Sequence, residues 1–226
     1  MEEKTPLRAV LFDLDGTLLD TLPDLHAAVN HALSLHGYPL RTLDQTRQAV
    51  GNGVKKLILR SLPKGVDEGE AEAVLADFRA YYAEHSTDLT HPYPGILPLL
   101  RTLKERGVAV GVVSNKYDAA VRQICAHYFP SLIDLALGED EERGIRRKPA
   151  PDAVLSALAA LGADHRSAVY VGDSEVDAMT AENAHLPCLL VSWGFRERSM
   201  LSSLRCAALL DDTDELSDYL LTALGN

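Results

Sequence analysis

Apolar residues occur along the chain in short runs that alternate with amphipathic stretches. Residues 7–14, with the sequence LRAVLFDL, form a run typical of a strand buried on both faces. Between residues 96 and 191, helical periodicity and short runs rich in Val and Leu follow one another in regular succession. Strands separated by single helices are typical of βαβ units, so the pattern predicts an α/β fold with a doubly wound parallel sheet.

The alternating region predicts four helices and four further strands. Neither an internal repeat nor a low-complexity segment interrupts it. We expect helices at about 96–106, 118–127, 151–161 and 176–185, and strands at about 108–113, 133–137, 168–171 and 188–191.

The segment between the first strand and the alternating region shows helical periodicity and no convincing strand. From Pro23 to His36 apolar residues recur at helical spacing, and Gly37 stands where a helix C-cap belongs. Further helical patterns cover about 43–50, 54–62 and 69–85. We therefore expect an α/β core formed by 1–19 and 92–226, with 20–91 as an all-helical cap domain inserted after the first strand.

Composition and charge narrow the classes of partner. The 226 residues are 46% hydrophobic and 24% charged, which allows a substantial buried core. Lys and Arg number 22 against 33 Asp and Glu, a formal net charge of −11. Because an acidic surface repels phosphate backbones and anionic lipids, we expect no nucleic acid and no membrane as partner. We expect a monomer or a homodimer that acts on a small molecule.

Cysteine usage and the N-terminal residues favour a cytoplasmic location. Cys125, Cys188 and Cys206 are odd in number and widely spaced, which predicts reduced thiols in the core. The first residues, MEEK, lead directly into a strand-like run, so we expect no signal peptide. The longest apolar runs fall far short of the roughly 18 residues that a membrane-spanning helix needs.

Residues capable of chemistry collect where the predicted strands end. In open parallel sheets ligands bind beyond the carboxyl ends of the strands, so these residues should share one edge of the sheet. Each segment alone has an ordinary explanation as a turn, a helix cap or a surface loop, but their joint appearance favours a site. The segments are DLDGT at 13–17, SNK at 114–116, GIRRKP at 144–149 and GDSEVD at 172–177.

The residue types in these segments suit the transfer of a phosphoryl group. Clustered carboxylates repel one another unless a cation neutralises them, and oxygen ligands favour Mg²⁺. The Ser114 hydroxyl, the backbone around Gly16 and Thr17, and the Lys148 ammonium could bind a phosphate. In the pair Asp13 and Asp15, one carboxylate could attack phosphorus while the other moves a proton.

The four segments together resemble the motifs of the haloacid dehalogenase-like hydrolase superfamily, and the resemblance covers nearly the whole core. The helical insert directly after the first strand resembles the cap of the phosphoglycolate phosphatase-like group. Further likeness to that group lies in GNG at 51–53, YPG at 93–95 and SNK at 114–116.

The resemblance implies a phosphatase that works through an aspartyl-phosphate. Asp13 would be the nucleophile, and Asp15 would protonate the leaving alkoxide and then deprotonate the attacking water. Ser114 would hold the phosphate, and Lys148 would pair with both the phosphate and the nucleophile. Asn115, beside Ser114, would also contact the substrate.

The resemblance also implies Mg²⁺ as the cofactor. The carboxylates of Asp13 and Asp173 and the backbone carbonyl of Asp15 would bind it, with Asp177 in an outer position. Dehalogenases of the superfamily need no metal and no acid two residues after the nucleophile, so Asp15 and Asp173 argue against that activity.

The cap residues suggest the substrate. The turn formed by Gly51, Asn52 and Gly53 offers backbone N–H groups to an anion, and Lys55 or Lys56 could pair with a substrate carboxylate. A small phosphate ester with a second negative charge, above all 2-phosphoglycolate, is therefore expected. A phosphomutase or pyrophosphatase of the same superfamily stays possible, and a receiver-type signalling module is an alternative from another class.

Overall fold

The computed structural model describes residues 6–51 and 53–224. Within it the chain divides into two compact units. The larger unit combines Met1–Leu18 with Pro92–Asn226, and the smaller unit is Leu19–His91.

The larger unit is built on a six-stranded sheet. The strands are β1 (Ala9–Phe12), β4 (Ala109–Tyr117), β5 (Leu135–Glu139), β6 (Ala168–Gly172), β7 (Cys188–Val191) and β8 (Ala208–Leu210). Their order in the sheet is β5-β4-β1-β6-β7-β8, and every neighbouring pair is parallel. The predicted α/β fold with a doubly wound parallel sheet is thus confirmed.

Helices connect the strands of the larger unit and cover both faces of the sheet. Ala9 and Leu11 of β1 face a core cluster to which α7 (Asp152–Leu161) and α8 (Glu175–Asn183) contribute, whereas Val10 and Phe12 point to the opposite face. All four side chains are fully buried, which explains why β1 is a continuous apolar run. The helices are α5 (Ile96–Glu105), α6 (Asp118–Tyr128), α7 (Asp152–Leu161), α8 (Glu175–Asn183), α9 (Arg198–Leu201) and α10 (Thr213–Leu224), with a 3₁₀ turn at Glu141–Arg143.

The smaller unit is helical apart from the short strands at its two ends. Thr42 caps α2 in a capping box with Gln45, and Asp67 caps α4. Its core contains Leu33, Leu75 and Phe78, among other apolar side chains. The elements are β2 (Leu19–Asp20), α1 (Leu22–Leu35), α2 (Leu43–Ala49), α3 (Val54–Ser61), α4 (Glu68–His85) and β3 (His91–Pro92).

The predicted helices are found with ends displaced by a few residues, but two predictions about strands are wrong. The segment predicted to lack strands contains β2 and β3, which pair with each other; two residues each are too few for periodicity to reveal. Strand β4 extends past its predicted end at residue 113 to Tyr117, with an irregular register after Val113. The elements β8, α9 and α10 lie beyond the last predicted strand and were not predicted.

Within residues 6–51 and 53–224, no helix combines the length and the apolar character that crossing a membrane requires.

Candidate active site

Asp13 lies at the carboxyl end of β1, near the middle of the sheet. Its backbone N–H donates to the carbonyl oxygen of Val171 in β6, at 2.8 Å. The chain continues from β1 to β4 on one side and later fills the other side with β6, so the strand order reverses at β1. Ligands of open α/β sheets bind at such a switch point, beyond the carboxyl ends of the strands. The topology therefore places Asp13 where a binding crevice is expected.

The buried ammonium group of Lys148 lies against the carboxylate of Asp13. The distance from Lys148 Nζ to Asp13 Oδ1 is 2.7 Å, and the distance to Asp177 Oδ1 is also 2.7 Å. Lys148 Nζ is in addition 3.2 Å from the hydroxyl oxygen of Tyr170. The lysine thus joins one carboxylate at the end of β1 to another in the first turn of α8.

Asn115 fixes the main chain of Lys148. Its side-chain oxygen accepts the Lys148 N–H at 2.6 Å, and its amide donates to the Lys148 carbonyl at 3.2 Å. The sequence predicts that Asn115 contacts substrate. In the structure its side chain lies against the loop that carries Lys148.

The carboxylates of Asp13, Asp173 and Asp177 are buried and converge, with one oxygen of each within 4.8 Å of the others. With Lys148 protonated and all three acids ionised, three negative charges and one positive charge leave two negative charges. A divalent cation balances that charge, and a set of oxygen ligands suits Mg²⁺. The residues present therefore fit the cation predicted from the sequence.

Burial governs the protonation of this cluster. It raises the pKa of Asp13 to about 7, with Lys148 opposing the shift. It raises the pKa of Asp173 well above the usual value, and the carboxylates of Asp177 and Asp13 add to that effect. Burial alone would lower the pKa of Lys148, but Asp13 and Asp177 hold it well above the usual value. The protein alone thus favours a charged lysine and disfavours full ionisation of the acids.

Asp177, in the first turn of α8, has protein donors on both oxygens. Oδ1 faces Lys148 and accepts from Tyr170 at 3.2 Å, and Oδ2 accepts from the Ser174 hydroxyl at 2.5 Å. Its side chain packs directly over Gly172, where an added Cβ would lie 2.3 Å from the Asp177 Cβ. Position 172 therefore requires glycine for Asp177 to keep this place.

The side chain of Asp15 is more accessible than that of Asp13, and it pairs with a different lysine, Lys116. Its side chain is 19% exposed, and Oδ1 lies 3.1 Å from Nζ of Lys116. Ser114 is buried, and its hydroxyl oxygen accepts the Lys116 N–H at 3.2 Å. The backbone from Ser114 to Lys116 thus presents both the buried hydroxyl and the lysine that pairs with Asp15.

The turn after Asp15 brings Gly16 and Thr17 into the site. Gly16 has a φ of +85°, a backbone conformation that favours glycine. Thr17 is fully buried, and its hydroxyl has no hydrogen-bond partner among residues 6–51 and 53–224. A buried hydroxyl without a protein partner is a candidate donor to a ligand oxygen.

The residues predicted from the cap belong to the smaller unit. Gly53, with a φ of +87°, immediately precedes α3. Lys55 is in the first turn of α3, and its ammonium group forms an ion pair with Glu72 of α4. Asn52 lies outside the described residues.

Two polar residues of the site received no role from the sequence. Tyr170 is fully buried in β6 and contacts both Lys148 and Asp177. A tyrosine in the middle of an otherwise apolar strand was the available signal, because a buried phenol needs a hydrogen-bond partner. Lys116 was visible only as part of a motif, and its pairing with Asp15 depends on the irregular end of β4.

Comparisons with known proteins fit this geometry. The sequence model of the haloacid dehalogenase-like hydrolase family matches residues 10–191. The chain belongs to this family. The matched segment contains all four predicted motifs of the hydrolase, together with the whole of its smaller unit.

Two relatives of this hydrolase are phosphoglycolate phosphatases by name. It is 40% identical over 215 residues to a phosphoglycolate phosphatase of Cereibacter sphaeroides, covering 93% of this chain and 96% of that protein. It is 34% identical over 220 residues to phosphoglycolate phosphatase 1 of Pseudomonas aeruginosa, covering 92% and 78% of the two chains.

A solved structure shares the fold of this hydrolase over almost its full length. It comes from Lactobacillus delbrueckii subsp. bulgaricus and belongs to a protein predicted to be a phosphoglycolate phosphatase. The TM-score is 0.89 at 34% identity, with 98% of this chain and 100% of that chain covered. The predicted resemblance to the phosphoglycolate phosphatase-like group is thereby confirmed.

Proposed function

We propose that this hydrolase is a Mg²⁺-dependent phosphatase that forms an aspartyl-phosphate on Asp13 and acts on a small phosphate ester, 2-phosphoglycolate. The observation that carries the proposal is the buried contact of Asp13 with Lys148, at 2.7 Å, beside the converging carboxylates of Asp173 and Asp177. The names of the curated relatives support the same activity and substrate.

In the first half of the reaction, a carboxylate oxygen of Asp13 attacks phosphorus, and the bond between phosphorus and the leaving oxygen breaks. Asp15 donates its proton to that oxygen, so that the product leaves as an alcohol. Asp15 suits a proton carrier because its side chain is partly exposed, unlike that of Asp13. Its neighbour Lys116 moderates the negative charge that develops when the proton leaves.

In the second half, Asp15 takes a proton from a water molecule whose oxygen attacks phosphorus. The bond between phosphorus and the Asp13 oxygen breaks, which releases inorganic phosphate and restores both side chains. Lys148 stays charged throughout and stabilises negative charge on the nucleophile and on the transferring group. The buried hydroxyls of Ser114 and Thr17 orient the phosphate oxygens.

The carboxylates of Asp13 and Asp173 and the backbone carbonyl of Asp15 would hold the magnesium ion. When bound, it would neutralise the clustered carboxylates and the phosphate oxygens. Asp177 would act through Lys148 and Ser174, since both of its oxygens already accept protein hydrogen bonds.

The smaller unit supplies the selectivity in this proposal. Asn52, Gly53 and Lys55 would bind the carboxylate of 2-phosphoglycolate, and Lys55 would exchange its partner Glu72 for the substrate. We propose further that this unit is a mobile cap, because the residues assigned to catalysis all lie in the larger unit and the leaving group must be recognised elsewhere.

The test is a panel of phosphate compounds offered to purified protein with and without Mg²⁺. The panel contains 2-phosphoglycolate, hexose phosphates, nucleotides and pyrophosphate. The highest kcat/KM is expected for 2-phosphoglycolate, with full loss of activity in EDTA and recovery with Mg²⁺. Full activity in chelated protein would contradict the metal requirement, and a preference for pyrophosphate or hexose phosphates would contradict the substrate.

A further inference from the structure

The segment after β7 contacts both the turn that follows Asp15 and the carboxylate of Asp173. The indole Nε1–H of Trp193 donates to the carbonyl oxygen of Thr17, at 3.1 Å, in the turn that follows Asp15. Two residues later, the backbone N–H of Phe195 donates to Oδ2 of Asp173, at 2.6 Å. Residues 193–195, which we name the bracing segment, thus connect the turn of the nucleophile strand with a carboxylate from another strand end.

Gly194 lies in close contact with both of these elements. A Cβ added to Gly194 would lie 2.3 Å from Asp173 Oδ2 and 2.4 Å from the carbonyl oxygen of Gly16. Real Cβ atoms do not approach other heavy atoms so closely, so only glycine fits without movement of the carboxylate or the turn. The backbone φ of Gly194 lies outside the left-handed range, so space rather than conformation requires glycine there.

The ends of the bracing segment are fixed by polar contacts of their own. Arg196, directly after it, donates two hydrogen bonds to Glu175, at 2.8 and 3.1 Å, with Glu175 opening α8. Ser192, directly before it, donates to Asp211 at 2.6 Å. These contacts hold the segment on the same sheet edge as the cluster and limit its freedom to move away from Asp173.

We infer that the bracing segment positions Asp173 for the cation. The amide of Phe195 engages Oδ2 and so fixes the orientation of the carboxylate that Asp173 would offer to Mg²⁺. Trp193 donates a hydrogen bond to the turn that contains Gly16 and Thr17. Gly194 allows this turn and Asp173 to lie close to the same backbone segment. Hydrogen-bond partners of metal ligands orient those ligands, and their loss typically lowers metal affinity by about 10- to 100-fold. The inference rests on the Mg²⁺ site of the proposed function.

The test is Gly194→Ala, because its added methyl group pushes directly on Asp173. Gly69→Ala is the matched control, since Gly69 has an ordinary φ, lies in α4 of the smaller unit, and its nearest neighbour would be 3.3 Å from the new Cβ. Mg²⁺ affinity is measured by calorimetry on metal-free protein, which does not depend on turnover. Thermal unfolding in EDTA shows separately whether each variant folds.

Trp193 provides a second measurement, because it is the only tryptophan in the chain. Its indole contacts the turn beside the cluster, so Mg²⁺ should change its fluorescence in the wild-type protein and in Gly69→Ala. In Gly194→Ala the same change should need about 10- to 100-fold more Mg²⁺. Trp193→Phe, which keeps an aromatic side chain but removes the N–H donor, should weaken Mg²⁺ binding in calorimetry by a smaller factor.

The outcomes separate the inference from the proposed function. If wild-type protein binds no Mg²⁺, the proposed metal site fails and the inference fails with it. If wild-type and folded Gly194→Ala bind Mg²⁺ equally, the metal site stands and the inference is overturned. Weaker binding in Gly194→Ala with an unchanged affinity in Gly69→Ala supports the positioning role of the bracing segment. Should Gly194→Ala fail to fold, Trp193→Phe decides by the same comparison of affinities.

Discussion

The two compact units hold their candidate charged groups in contrasting ways. In the larger unit Asp13 and Lys148 are each 8% exposed and are held by several neighbours. In the smaller unit the side chain of Lys55 is 55% exposed and pairs with Glu72 at the surface. Removing one member of a buried ion pair is costly, whereas a surface pair contributes little and reorients easily. In the proposed function, this contrast would let the larger unit fix the reaction while the exposed Lys55 of the smaller unit takes part in substrate choice.

The largest expected effect comes from Asp13→Asn, which removes the proposed nucleophile from the larger unit. The amide is nearly isosteric but does not form the acyl phosphate, so kcat should fall by about 10⁴-fold or more for every substrate. Circular dichroism and steady-state kinetics on the same sample check this. A folded variant that keeps near wild-type turnover would show that another residue is the nucleophile.

Asp15→Asn should have a smaller effect that depends on the leaving group. Loss of proton transfer typically lowers the rate by about 10²- to 10⁴-fold. The loss should be greater for alkyl phosphates than for an aryl phosphate, whose leaving oxygen needs little protonation. Equal losses for both classes of ester would contradict the role of Asp15 as the acid.

Lys55→Ala tests whether the smaller unit contributes to substrate choice. We expect kcat/KM for 2-phosphoglycolate to fall by about 10-fold, as for the loss of one charged contact, with little change for an aryl phosphate. Lys104→Ala is the matched control, because Lys104 also pairs with a single carboxylate, that of Asp134, but lies in the larger unit. Equal losses on both substrates would remove Lys55 from substrate recognition.

The last prediction concerns stability and not turnover: the stability of the metal-free protein should depend on pH. The pKa of Asp13 is raised to about 7 by burial, so the folded protein holds a proton that the unfolded chain releases above its ordinary pKa. Unfolding free energy should therefore fall as the pH rises from about 4 to about 7, and Asp173 adds in the same direction. Thermal unfolding in EDTA measures it, and Asp13→Asn should show a shallower slope. A slope unchanged in that variant would contradict the raised pKa of Asp13.

Some elements of the fold and the site could be predicted from the sequence, and others could not. The buried strand β1 is a continuous apolar run and the helices carry strong periodicity. The four motifs lie at the carboxyl ends of strands or in the loops that follow them, so fold and family were predictable from pattern and resemblance. The two-residue strands β2 and β3 carry no periodicity and were missed. The contact of Asn115 with the main chain of Lys148 joins residues 33 positions apart, and such a contact depends on tertiary structure.

The contacts of the bracing segment could not be predicted from the sequence either. Trp193 and Gly194 were visible in the sequence as an aromatic and a glycine after the last predicted strand. Their contacts with Thr17 and Asp173 arise only when β7 is placed beside β6 in the sheet. Local pattern thus predicts where chemistry-bearing residues lie along the chain, while the partners that orient them follow from the fold.

The covalent intermediate on Asp13 is the central claim, and chemical trapping tests it most directly. Wild-type protein is mixed with 2-phosphoglycolate and Mg²⁺, quenched during turnover and treated with borohydride, which reduces an acyl phosphate to an alcohol. Mass spectrometry of the peptide that contains Asp13 and Asp15 then locates the modified residue. The account predicts reduction at residue 13, dependent on both substrate and Mg²⁺. Reduction at Asp15, or no reduction while phosphate is being released, would contradict it.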